Sequence, residues 1–182
     1  MSRAENTEIR VTLAEDLQPK LRLYRRLWLT QVDLEEARAT IDEILRARIP
    51  IPRKEQTPAL LLSLTTAFIV AYARPWVHSR GQSVADRTAP GSLLRVLTAR
   101  QRQAHDYLVE LRNREIAHSD ADVMDVHLHL YFDGHSVLFK SARAPFTRLE
   151  LRDFRRIIQK LEKAIAKRCQ ELRYELPLRT WI

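Results

Sequence analysis

The run over residues 59–73, Ala-Leu-Leu-Leu-Ser-Leu-Thr-Thr-Ala-Phe-Ile-Val-Ala-Tyr-Ala, is apolar on nearly every side of a helix. A helix with no polar face has to be surrounded, so a helix from about Thr57 to Arg74 is predicted to be the central one of a bundle. Lipid is not the expected surrounding, because a bilayer span needs about 20 residues and Ser63, Thr65 and Thr66 interrupt the run. No membrane partner is expected. With only 3 glycines in 182 residues, the chain lacks the turn residues of a strand-rich sandwich. The expected class is mainly α, in a single domain over 1–182, with 1–18 as an N-terminal extension and 173–182 as a C-terminal tail that docks on the fold or on a partner.

Pro19 opens a segment with Leu21, Tyr24, Leu27 and Trp28 at helical spacing. Asp33 and Glu36 have the spacing of a capping box, which predicts a separate helix to about residue 48 along Leu34, Ala37, Ile41, Ile44 and Leu45. Pro75 is expected to stop the central helix, and residues 76–91 read as an exposed loop long enough to carry function. From Ser92, the series Leu94, Leu97, Ala104, Leu108 and Leu111 predicts one long helix. Val126, Leu128, Leu130 and Phe132 alternate with His127, His129 and Tyr131 ahead of Asp133-Gly134, and Val137 begins a return. That pattern predicts a β-hairpin inserted before the last long helix, which Thr147 and Glu150 open as a capping box.

The 31 basic residues exceed the 23 acidic ones for a formal charge of +8, and most are arginine. A surplus of planar guanidinium groups favours a polyanionic partner such as RNA, although a general compositional bias toward arginine has the same effect. Arg152, Arg155, Arg156, Lys160, Lys163, Lys167 and Arg168 crowd the polar face of the last helix, which is either solvated or a nucleic-acid surface. Cys169 is the only cysteine, so an intrachain disulfide and a cysteine-rich zinc site are excluded, and a cytoplasmic location fits. His127 and His129 share one strand face near His135, but zinc takes three or four ligands. They read as the wet face of the hairpin, and neither a metal nor a cofactor is expected. No Gly-rich phosphate loop, nucleophile elbow or paired-carboxylate motif is present.

At the end of the predicted long helix lies Leu111-Arg112-Asn113-Arg114-Glu115-Ile116-Ala117-His118-Ser119-Asp120. An arginine, an amide and a histidine are the minimum equipment for cutting RNA without a metal. The guanidinium neutralises a phosphate, the amide orients it, and an imidazole with an ordinary pKa near ~6.5 moves protons at neutral pH. Helix geometry restricts how they meet. At about 100° per residue, Arg112 and His118 point about 120° apart, so they reach one phosphate only if the helix ends or bends near 115–117 or a second copy contributes. Arg114 precedes His118 by four residues on the same face and is an alternative partner. His105 lies about 20° off the face of Arg112, either as a second proton-transfer group or as a half-buried hydrogen-bonding residue. A structural role is the other option for Arg112, Asn113, His118 and Asp120, knitting the helix end to Arg74 and Tyr72.

The Arg112-Asn113 pair followed by Ala117-His118 resembles the R-x(4-6)-H motif of HEPN domains, where a polar residue commonly follows the arginine. Together, Tyr72-Ala73-Arg74-Pro75, His105, Leu108, Leu111-Arg112-Asn113 and Ala117-His118-Ser119-Asp120 are similar to a group of bacterial HEPN-like proteins of unassigned function. The resemblance implies an up-and-down helical bundle that dimerises so that two motifs line one cleft. In catalytic members the histidine and arginine promote attack of the ribose 2′-hydroxyl on the adjacent phosphate, leaving a cyclic phosphate. Carried to this chain, His118 is the general acid/base, Arg112 the phosphate clamp and Asn113 an orienting group, with Arg74, His105, Arg114 and Asp120 as binding residues around them. The expected function is a homodimeric module binding RNA, a nucleotide or a protein partner. The alternative is a metal-independent endoribonuclease of a defence or toxin-antitoxin system, with an antitoxin as partner. One departure stands against catalysis: toxin-type members often carry a tyrosine two residues after the histidine, and here Asp120 places a negative charge near the presumed phosphate.

Overall fold

A computed structural model describes residues 17–49, 58–78, 85–116, 126–130, 136–140 and 145–176. The protein is mainly α and bundle-like. Its helices are α1 (Gln18–Arg46), α2 (Ala59–Ala73), α3 (Ala99–Leu111) and α4 (Arg148–Glu175), with short 3-10 segments at Arg74–Trp76 and Gly91–Val96 and a π turn at Arg112–Ile116. Between the π turn and α4, the backbone of Val126–Leu130 (β1) pairs antiparallel with Ser136–Lys140 (β2), Val126 opposite Lys140 and Leu130 opposite Ser136. The Asp133-Gly134 turn, residues 1–16, His135 and residues 177–182 lie outside the described residues.

Two local expectations are corrected. Asp33 does not cap a second helix, because α1 runs unbroken for 29 residues from a start with proline in its first turn. Asp33 and Glu36 instead point across to Arg74, at 2.5 and 3.1 Å, so the capping-box spacing serves a tertiary ion pair. As expected, α2 ends just ahead of Pro75, at Ala73, and Pro75 itself sits in the first turn of a short 3-10 segment. The long helix expected from Ser92 is split in two. Leu97 is extended at φ −88°, ψ 140°, and Thr98 then caps α3 by accepting from the Gln101 N–H while Gln101 accepts from the Thr98 N–H. The reciprocal cap satisfies two otherwise orphaned donors. The capping box of Thr147 and Glu150 is present at the start of α4 as expected.

The core is one cluster. Leu27, Leu34, Ala37, Ile41 and Ile44 of α1 meet Leu61, Phe68, Ile69 and Tyr72 of α2, Leu108 and Leu111 of α3, and Leu151, Phe154, Ile157, Ile158, Leu161 and Ile165 of α4. Phe68 is fully buried, and its ring packs on Tyr72, Phe146 and Phe154 at 5.6–6.1 Å between centroids. The apolar α2 is not wholly surrounded, since Leu60 is 60% exposed and Leu62 39%. The helix with most company is α1, which lies along both α2 and α4, while α3 packs on α2 and more lightly on α4.

Candidate functional site

The end of α3 changes its winding at the motif. The Arg112 N–H is shared between the carbonyls of Leu108 and Val109, and Arg112–Ile116 then forms a π turn. Single π turns inside helices recur at functional sites because the extra residue re-aims the side chains that follow. Arg112 donates from Nη1 to Asn113 Oδ1 at 3.0 Å, so the two motif neighbours orient one another. Arg114 pairs with Glu110 at 2.9 Å on the exposed side. His118 and Asp120 lie outside the described residues.

A cleft of about 530 Å³ opens beside this turn, lined by Trp76, Thr88, Leu94, His105, Asp106 and Asn113, with Glu110 and Arg114 also on its wall. The structure thus brings His105, Asn113 and Arg114 to one concavity. Arg74 does not join them, since its guanidinium is held by Asp33 and Glu36 on the α1 side. Burial pushes the Asp33 carboxyl up, and the hydrogen bond from Arg74 works against that rise.

His105 is 4% exposed. Its Nδ1 shares a hydrogen bond with the Tyr72 hydroxyl at 2.9 Å, and its ring stands edge-on to Trp76 at 4.9 Å. Burial pushes the imidazole down to about 4 and holds the Tyr72 phenol well above its ordinary range. Both groups are therefore neutral at physiological pH. A neutral imidazole engaged through Nδ1 sets the cleft floor and is a poor proton donor. Trp76 and Asp106 were not singled out from sequence. Trp76 falls in the loop expected over 76–91, and Asp106 carries no motif of its own; its proximity to His105 in the chain is the available signal.

The far wall of the cleft is pinned from α1. The buried Arg26 donates from Nε to the Asp86 carbonyl at 2.7 Å and from Nη2 to the Arg87 carbonyl at 2.5 Å. The next turn is tied by the Ala89 N–H to the Pro75 carbonyl at 2.8 Å. Burial works against the Arg26 charge, and Asp33 and Asp86 favour it. Arg26→Met keeps the packing stem and leaves both carbonyls without this donor, so a loss of about 1–3 kcal/mol is expected. Hydrogen exchange of the Ala89 amide is the sensitive check, and it should speed up before the core amides do.

On α4 the basic residues divide into two sets. Arg155 pairs with Asp42 at 2.6 Å, Arg168 with Glu171 at 2.8 Å, and Lys160 donates to Gln101 at 2.8 Å. Arg152, Arg156, Lys163 and Lys167 are exposed and fall on the face opposite the buried stripe of Leu151, Phe154, Ile158, Leu161 and Ile165. Gln159 and Gln170 share that outer face. Arg156 also reaches Asp153 at 2.9 Å on its flank, whereas no ion pair holds Arg152, Lys163 or Lys167 among the described residues. Among the described residues no group of three or more metal-binding side chains converges.

Comparison of the chain with protein-family models, with curated proteins and with solved structures returned no match.

Proposed function

We propose that this chain is a cytoplasmic, homodimeric HEPN-like module that binds RNA, with the β-hairpin inserted between its motif helix and its last helix. The observation that carries the proposal is the outward row Arg152, Arg156, Lys163 and Lys167 on α4. It extends over about 22 Å of helix, long enough to follow several phosphates. Its side chains are exposed, and among the described residues Arg156 alone of the four is ion-paired, to Asp153 on the flank of that face. Arg74 and His105 take no part in that surface, because both are committed to internal partners.

Anisotropy of a labelled single-stranded RNA, measured at several salt concentrations, tests the proposal. Binding should weaken as salt rises, with a logarithmic slope of about 0.7 for each phosphate neutralised. The triple variant Arg152→Gln, Lys163→Gln, Lys167→Gln should lower that slope by about 2 and the affinity by about 10-fold or more at low salt. Salt-independent binding, or a triple variant that binds like the parent, would count against it.

One observation favours the second possibility, a metal-independent endoribonuclease. The π turn sets Asn113 on the cleft with Arg112 bonded to it. RNA cleavage that persists in EDTA and disappears in His118→Ala with the fold intact would establish it. Binding without turnover leaves the module reading in place.

A further inference from the structure

Beside the motif turn, the fold fixes the position of one histidine proton. The Tyr72 hydroxyl is fully buried, and His105 Nδ1 is its only hydrogen-bond partner among the described residues. A buried hydroxyl proton has to be used, so Tyr72 donates and Nδ1 accepts. In the neutral imidazole the remaining proton then sits on Nε2. Among the described residues, only Gln31 Oε1 and Trp76 Nε1 are side-chain atoms both sealed from solvent and unpaired. His105 Nε2 has no partner either, so it meets the cleft that His105 lines. A residue only 4% exposed thus presents its one open nitrogen there as a hydrogen-bond donor.

Two further groups on the same wall have settled roles. Asn113 accepts from Arg112 through Oδ1 at 3.0 Å, which leaves its amide NH2 as a second donor on the cleft. Asp106 lies 3.6 Å from Arg102, too far for a hydrogen bond, so its carboxylate keeps open acceptors. Glu110 is already engaged by Arg114 at 2.9 Å. Trp76, Leu94 and Val109 add apolar surface within the same volume of about 530 Å³. A phosphate does not suit this cleft, because two carboxylates line it, its one guanidinium is paired and its histidine is neutral.

A flat heterocycle with acceptors beside donors on one edge suits it better. Guanine carries N7 and O6 as adjacent acceptors, followed by the N1–H and 2-amino donors. Its acceptors answer His105 and Asn113, and its donors answer the Asp106 carboxylate. Adenine would set the N1 lone pair against that carboxylate, cytosine would set its N3 lone pair there, and uracil has a single N–H. We infer that the cleft between α3 and residues 88–94 is a guanine-binding site, read by His105 Nε2–H, the Asn113 amide and the Asp106 carboxylate. The inference rests on the RNA-binding proposal only for the source of the base, since a guanine of a bound strand and a free guanine nucleotide carry the same edge.

Ligand-observed NMR titration of the full chain with guanosine, adenosine, cytidine and uridine tests this, because nucleosides carry no phosphate for the α4 row to hold. Guanosine should bind at least about 10-fold more tightly than adenosine or cytidine, the discrimination expected of one good bidentate contact. Asp106→Asn should abolish that preference while circular dichroism and the thermal melt stay as in the parent, because the Asp106 side chain is 65% exposed. The imidazole nitrogen shifts of His105, assigned by their loss in His105→Gln, should show Nε2 protonated and Nδ1 unprotonated. A proton on Nδ1, binding without base preference, no saturable binding, or a guanosine preference that survives Asp106→Asn each overturns the inference. Two labelled RNAs then distinguish the sources. Tighter binding of an oligoadenylate carrying one guanosine than of pure oligoadenylate places the base in RNA; equal binding after a positive nucleoside titration places it in a free guanine nucleotide. The salt slope of pure oligoadenylate reports on the RNA-binding proposal alone, so the two readings fail separately.

Discussion

Phe68→Ala is expected to cost about 3–5 kcal/mol, the range for emptying a large aromatic side chain from a packed core. In a domain of this size that lowers the melting temperature by roughly 6–20 °C. The ring is fully buried and touches Tyr72 on its own helix, Phe146 just ahead of α4 and Phe154 within α4. Phe146 and Phe154 also contact each other at 5.0 Å, so the cavity would open where α2 meets the start of α4. Tyr72 would lose its support on one side while still bonded to His105 on the other, which carries the damage toward the cleft. Phe68→Leu, which leaves a smaller void, should cost clearly less. Denaturant unfolding of both variants checks the pair, and equal losses would show that the site collapses around whatever is placed there.

A stability loss of about 2–3 kcal/mol on acidification from pH 7 to pH 4.5 is expected from His105 alone. Its imidazole titrates near ~6.5 in the unfolded chain and at about 4 in the folded one, with burial as the main cause. Asp106 favours the charged form and Arg102 opposes it, and neither overturns burial. The unfolded state therefore takes up the proton first. The His105 contribution is complete above pH 6.5, falls as pH drops below that value, and stops falling once the folded state protonates near pH 4. Protonation at Nδ1 also removes the acceptor that the Tyr72 hydroxyl can use. His105→Gln retains an acceptor for Tyr72 and cannot titrate. The difference in unfolding free energy between pH 7 and pH 4.5 should shrink in that variant, the remaining slope belonging to carboxylates. An unchanged acid slope would mean that His105 is protonated in the folded protein.

Periodicity made the helices legible, and it failed where a polar residue had two uses. The stripe of α4 and its Thr147–Glu150 cap were readable because every apolar residue repeats at helical spacing behind a cap of standard form. Asp33 and Glu36 have the same spacing as a cap, yet they serve Arg74 forty residues away in sequence; local pattern cannot separate a backbone acceptor from a tertiary one. Thr98 and Gln101 were overlooked because the leucines on either side kept the helical beat, and the break at Leu97 costs that beat nothing. At the candidate site, Arg112, Asn113, Arg114 and His105 were singled out by chemical type, and three of them line one cleft. The π turn could not be foreseen, since winding depends on how neighbouring elements press on the helix. Trp76 and the Arg26 pin were missed because both act through segments distant in sequence.

The pairing of α1 with α4 sets an order of events during synthesis. Lys20 meets Glu175 at 2.8 Å and Arg38 meets Glu162 at 2.9 Å, so the two longest helices join over their whole length although roughly a hundred residues are made between them. At about 5–20 residues per second, α1 waits on the order of ten seconds for the helix that completes its inner side. Until then α2 is its only neighbour of comparable size, and the growing chain leaves the ribosome with leucine and isoleucine side chains bare on one edge. A nascent chain in that condition is a natural client for chaperones, and truncations within α4 should accumulate as insoluble protein while the finished chain does not.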